Sequence, residues 1–247
     1  MLNKKEVQIM RENAKVHKIV FEEIRKILKD WTTAVQVDKL CAKIAKEHNV
    51  LCGFKWVYNF PNNLCISVND VVVHGRATKW LVFRDGDLAT FDFGIKDKKV
   101  GINTDAAFST IIGWKDKNIV GAKLIEANKK ALYAGIAKAK AGNRVWDISH
   151  AIEKEIVWAW FYVVKDLTGH GIWYELHEKP YIPNYGQAWK GQVLKKWMTI
   201  AIEPILGETS GKIVDEWDWE IFIEDWSLGS QYEHTILITD GEPEIII

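Results

Sequence analysis

Two stretches of the chain, opening near residues 5 and 118, each run through two helical patterns and then several strand-like ones. This recurrence narrows the available folds more than any other feature. Residues 5–28 carry Val7, Met10, Ala14, Phe21, Ile24 and Leu28 at three-, four- and seven-residue steps, the spacing of one buried helix face. Thr33 is a candidate N-cap for a second helix through VQVDKLCAKIAKEH. The runs LCISV, DVVVH, LATFDFGI and DAAFSTIIG then read as strands, with Asp85-Gly86 among the turn residues between them. From residue 118 the order returns. Ile125, Leu132 and Ile136 share one side of a helix over 118–140, and a second helix covers about 147–158. FYVVKDL, MTIAIEPIL, WEIFI and YEHTILIT follow as strands. With no linker-like or low-complexity segment between them, the two stretches predict an internal duplication in one α+β domain over 1–247, with halves of about 1–117 and 118–247.

Bulk properties exclude more than they assign. Lys plus Arg and Asp plus Glu both number 33, so no net field favours nucleic acid or an anionic membrane. The opening MLNKKEVQIMRENAK has no secretory pattern, and no apolar run approaches the roughly 18 residues of a membrane span. Cys41, Cys52 and Cys65 lack zinc-site spacing and read as reduced thiols of a cytoplasmic protein. GxxxxGK[ST], HExxH and GxSxG patterns are absent.

Four carboxylates fall where strands should be most apolar: Asp92 in ATFDFGI, Asp105 in NTDAAFS, Glu203 in TIAIEPIL and Glu233 in QYEHTIL. An ionised carboxylate is costly to bury unless it is paired, hydrogen-bonded or bound to a cation. Any one of them could face water from a solvated sheet face. Four together fit that reading less well, because Asp92 and Glu203 have apolar neighbours on both sides. Glu203 also precedes Pro204, which cannot donate to a sheet ladder. With His170, set between Gly169 and Gly171, the group would balance two divalent cations, and oxygen-rich ligands with one nitrogen suit Mn, Fe, Co or Zn. Two such metals can clamp and activate a water for hydrolysis. Sequence separation alone leaves the convergence of the five open. Among the other histidines, His74 at a strand end reads as structural. His17, His48 and His150 read as solvated helix positions, and His234 should point away from Glu233.

CISVNDVVVHG at 65–75, TFDFG, TDAAFS, LTGHGI, LHEKPYIPNYG, AIEP and GSQYEHT resemble, in order and over nearly the whole chain, the type I methionine aminopeptidases. The chain is similar to their short bacterial form, without the amino-terminal domain of the proline-specific peptidases or the type II insertion. The resemblance implies the pita-bread (creatinase/aminopeptidase-like) fold, two pseudo-symmetric halves around an antiparallel sheet. It also implies removal of the initiator methionine from nascent polypeptides when the second residue is small. It assigns Asp92, Asp105, His170, Glu203 and Glu233 as ligands of two divalent metals, with Glu203 also shuttling the proton. It gives His177 the developing oxyanion and His74 the scissile amide, and it places Phe60, Cys65 and Trp219 around the methionine side chain. Tyr58 and Val57 depart from the family's aromatic pattern, and Asp92 and Asp105 lie 13 apart where 11 is usual. Nascent amino termini are the implied partners, the ribosome is a candidate one, and a monomer is expected. A peptidase for X-Pro bonds and a non-enzymatic binding protein of the same fold are the alternatives.

Tryptophan stands out at 13 residues, more than the seven tyrosines or nine phenylalanines. In the family pattern Trp31, Trp56, Trp146, Trp160, Trp173, Trp197 and Trp226 occupy glycine positions; Trp114, Trp189 and Trp217 are grouped with them, and Trp219 is a family tryptophan. Turns of this kind often need φ > 0, which glycine accepts and tryptophan resists. Drift with repacking is one reading. The other is a UGA codon that the source cell reads as glycine, here written as tryptophan. It predicts positive φ, crowding or unusual exposure at several of these positions, and an obstructed site beside His170.

Overall fold

The first two helices each start on a reciprocal cap. In the computed structural model, which describes residues 2–247 apart from the side chains of 216 and 217, Asn3 accepts from the N–H groups of Lys5 and Glu6, and its own N–H donates to Glu6. Helix α1 spans Lys4–Ile27 and buries Val7, Met10, Ala14, Phe21 and Ile24. Thr33 and Gln36 cap α2 (Ala34–Glu47) in the same way. The pair recurs as α3 (Ile119–Ile136), capped by Asn118, and α4 (Val145–Trp158).

Five strands follow the first pair: β1 (Val50–Cys52), β2 (Cys65–Val68), β3 (Val71–Val73), β4 (Leu88–Asp97) and β5 (Asn103–Ile111). Ten follow the second: β6 (Tyr162–Val163), β7 (Thr168–Gly171), β8 (Glu178–Pro183), β9 (Thr199–Ile202), β10 (Ile205–Gly207), β11 (Ile213–Trp217), β12 (Glu220–Ile223), β13 (Gly229–Gln231), β14 (Glu233–Leu237) and β15 (Glu244–Ile245). A nine-stranded antiparallel sheet runs β1-β4-β5-β14-β9-β7-β8, with β2 on β4 and β15 on β14. The two segments therefore meet at the β5–β14 pairing. Two three-stranded sheets, β13-β10-β6 and β11-β12-β3, complete the α+β fold.

Helices cover one face of the large sheet. Phe91, Phe93, Ala106 and Phe108 pack under α1 and α2, and Ile200, Ile202 and Ile236 under α3 and α4. Strand alternation sends Asp92, Asp105, Ala201 and Glu233 to the opposite face. FYVVKDL yields only the two-residue β6, and the TGHG strand β7 carries no apolar alternation that would announce it. Its glycines allow close approach: a Cβ on Gly169 would lie 2.4 Å from the Ala201 carbonyl oxygen of β9.

His17 corrects the expectation of a solvated helix position. It is fully buried, bonds Thr104 Oγ1 at 3.0 Å, and lies edge-on to Phe93. It stands three residues after Ala14 and four before Phe21, on the buried stripe of α1. Burial pushes its pKa down to about 3.

Seven of the thirteen non-glycine residues with positive φ are tryptophans, among the described residues. Trp31, Trp56, Trp160, Trp197 and Trp226 lie there as expected, and so does Trp189. Trp114, Trp146 and Trp173 do not, and the Trp217 side chain lies outside the described residues. A left-handed conformation costs a residue with a Cβ about 1–2 kcal/mol.

Candidate active site

The site grows out of strand register. Asp92 pairs with Ala107 across β4–β5, and Asp105 pairs with Gly94, so the two aspartates are diagonal neighbours on one face. The hairpin is longer than usual for the resembled family, yet its ends stay opposed, and the two carboxyl groups are close enough to shift each other's titration. Glu233 pairs with the same Ala107 from β14. His170 pairs with Ala201 across β7–β9, and Glu203 follows two residues after Ala201 on the same side. Four strands and one strand end thus aim five side chains at one point.

Glu203 sits where β9 ends at Ile202 and the chain, turned by Pro204, enters the neighbouring sheet as β10 at Ile205. The break takes the backbone of Glu203 out of the ladder. His170 Nε2 lies 3.4 Å from Glu203 Oε1 and 4.0 Å from Glu233 Oε1. His170 Nδ1 bonds the Gly171 carbonyl at 3.0 Å, which leaves Nε2 as the acceptor facing the acids. Ligand atoms of Asp105, His170 and Glu233 all lie within 4.8 Å of one another. Gln231 Nε2 donates to Glu203 Oε2 at 3.1 Å.

Electrostatics give the cluster its character. Asp92, Asp105, His170 and Glu233 are buried and Glu203 nearly so. Burial pushes the Asp92 carboxyl up to about 7. Burial and then neighbouring carboxylates push Asp105, Glu203 and Glu233 well above the carboxylate range. Burial likewise drives His170 down to about 3. Four such acids cannot all ionise side by side without cations. Asp92 Oδ1 and Glu233 Oε1 are buried and have no hydrogen-bond partner, an arrangement that fits divalent metal with oxygen and one nitrogen donor.

A cavity of about 300 Å³ opens over this floor. One wall is apolar: Phe54, Phe60, Cys65, Ile172 and Leu176 cluster with Val57 and Trp219, and Phe60 meets Trp219 edge-on at 5.7 Å. Cys65 is the β2 partner of Asp92. The other wall carries His74, His177 and Tyr181. The His177 ring stands perpendicular to His170 at 4.5 Å and parallel to Tyr58 at 6.1 Å. His74, which sequence pattern alone read as structural, has φ 56. The following position admits only glycine, since a Cβ on Gly75 would lie 2.1 Å from the Ile66 carbonyl oxygen. Burial lowers the pKa of both imidazoles, that of His74 to about 4.

Every residue that the resemblance assigned to metal or substrate lines this cavity. Phe54, Leu176 and Gln231 were not anticipated; Gln231 stands two residues before Glu233, at a same-face spacing that offered a signal. Trp173 turns away. Its ring packs on the cluster of Met10, Leu237 and Ile246, and its carbonyl accepts from Asn103, so the obstruction expected beside His170 does not occur.

The profile of metallopeptidase family M24 matches residues 8–240. A methionine aminopeptidase of Clostridium acetobutylicum is 35% identical over 99% of this chain and 96% of its own. The crystal structure of methionine aminopeptidase from Thermotoga maritima superposes with a TM-score of 0.95 at 36% identity, covering 99% of this chain and 97% of that one. The prolidase from Pyrococcus furiosus shares the fold at TM-score 0.76 and 19% identity, with 64% of its length covered. The chain belongs to metallopeptidase family M24 and, within it, to the methionine aminopeptidases.

Proposed function

We propose that the chain removes the amino-terminal methionine from new polypeptides when the second residue is small. The convergence of His170 Nε2 on Glu203 and Glu233 beside an apolar wall carries this reading. Asp92, Asp105, His170, Glu203 and Glu233 would hold two divalent cations, which when bound would supply Lewis acidity and lower the pKa of a water. Glu203 would take up the proton of the attacking water and return it to the departing amine. His177, neutral because burial lowers its pKa, donates an N–H to the oxygen on which negative charge develops. His74, also neutral near pH 7, donates to the substrate main chain. Phe60, Cys65 and Trp219, with Phe54 and Leu176, enclose the methionine side chain and exclude water from the floor. Amino termini leaving the ribosome supply the substrates, and the chain acts as a monomer.

Peptide assays with added Co, Mn, Fe or Zn test the reading. Met-Ala peptides should be cleaved at least 100-fold faster than Met-Leu peptides, the scale of about 2.7 kcal/mol of discrimination. Faster turnover of X-Pro peptides, equal rates on Met-Ala and Met-Leu, or no cleavage with any metal would overturn it.

A further inference from the structure

Six tryptophans occupy backbone positions made for a residue without a side chain. Trp160 shows it most fully. Helix α4 ends at Trp158 with Ala159 as its cap; the Trp160 N–H bonds the Val157 carbonyl, and the Phe161 N–H bonds the Ile156 carbonyl. These are the two bonds of a Schellman motif, whose left-handed residue is usually glycine. Trp160 fills that place at φ 63 and is 89% exposed. Trp31, Trp56, Trp189, Trp197 and Trp226 lie at φ between 61 and 69. Hydrogen bonds pin these conformations: the Trp31 N–H to Phe83, Trp56 to Phe60, Trp197 to Ile238 and Trp226 to Ile223.

Side-chain burial does not account for the residue type. Trp31, Trp56, Trp189 and Trp226 are exposed, and Trp197 is half-buried against the Met10 and Leu237 cluster. Arg84 lies over the Trp31 ring at 3.4 Å and Lys55 beside Trp56 at 4.8 Å, contacts of small worth at exposed sites. Trp219 differs. Trp226 meets Phe222 at 5.4 Å at the surface, whereas Trp219, also at positive φ, meets Phe60 inside the cavity that it lines. Other non-glycine residues at positive φ are three asparagines, an aspartate, His74 and Tyr58, mostly types that tolerate the region.

Drift scatters residue types over such positions, whereas one bulky type recurs here. We propose that the polypeptide made in its own cell carries glycine at 31, 56, 160, 189, 197 and 226. The shared cause is decoding: UGA differs by one base from the tryptophan codon UGG and from the glycine codon GGA. A cell that reads UGA as glycine, with its gene written out as if UGA meant tryptophan, produces this pattern. Trp219, which the cavity uses, is a true tryptophan encoded by UGG.

Codons and native peptide masses decide it. UGA codons and glycine-containing peptides are expected at the six positions, and UGG at 219. UGG codons, or tryptophan in the native peptides spanning 160 and 226, would overturn the proposal. A second measurement isolates the backbone. The chain bearing W31G, W56G, W160G, W189G, W197G and W226G should melt on the order of 10 °C above the chain as written. The same six changes to alanine should gain clearly less, because alanine keeps the Cβ strain. Equal gains for glycine and alanine would place the benefit in lost indoles and sink the backbone argument.

Discussion

Two histidines of this molecule are both buried and pushed by that burial to a pKa of about 3, yet their surroundings differ completely. His17 is fully buried between α1 and the large sheet, with one hydroxyl partner and aromatic rings at 5.6 and 5.9 Å. His170 faces two carboxylates and a second imidazole on the sheet's opposite face. A depressed pKa therefore reports burial first and does not by itself mark a site. Function is carried by the partners: an imidazole with one hydroxyl partner, an unpartnered Nδ1 and aromatic rings around it makes a core residue, while several acids facing one another and an imidazole make a cation site.

Substitutions can break that contrast, and the largest effect belongs to the acids. Glu203→Gln should lower kcat on Met-Ala peptides by roughly 10²–10⁴, and it should raise the melting temperature of the metal-free protein, since it removes one of four mutually repelling carboxyl groups. A variant retaining more than a tenth of parental kcat would remove Glu203 from the chemistry. His177→Ala should cost roughly 10²–10³ in kcat with little change in metal-induced stabilisation, read by turnover and by melting with and without metal. An equal loss of metal-induced stabilisation would make His177 part of the cation site.

The smallest effect tests His17 and runs through pH. Its folded pKa lies below the unfolded value near 6.5, so above pH 6.5 both states are neutral and its titration contributes nothing. Below that, the unfolded chain binds a proton that the folded chain excludes, and stability falls on acidification. Between pH 6.5 and 5 the loss is ~2 kcal/mol, or roughly 4–8 °C in Tm. His17→Gln should melt lower than the parent at pH 7.5 and keep near-parental kcat, and the Tm gap should narrow by pH 5. A constant gap would mean that His17 does not titrate on unfolding.

These cases also show what the amino-acid pattern could reveal. The four acids were legible because a carboxylate among strand-forming apolar residues raises a question of burial cost wherever it occurs. The helices were legible from spacing and caps. Strand β7 was not, because TGHG has neither alternation nor β-branched bulk beyond its threonine, and its place depends on glycines fitting against β9. His17 was misread through its polarity, although its spacing from Ala14 and Phe21 put it on the buried stripe. Among the tryptophans, glycine positions inferred from likeness held where hydrogen bonds pin a left-handed turn, as at Trp160. They failed as strain at Trp146, which a regular helix accommodates, and at Trp173, which found an apolar cluster to cover.

The pairing of Cys65 with Asp92 has a consequence for selection of the first residue. It puts the wall of the apolar pocket and the floor of acids on adjacent strands, Cα to Cα about 5 Å apart, like two marks on one ruler. A side chain that reaches the end of the pocket thereby sets how far its own carbonyl stands from the acids. A pocket tied to the acids in this way would select by reach as well as by apolar character, so that an apolar residue of the wrong length would bind without being cut.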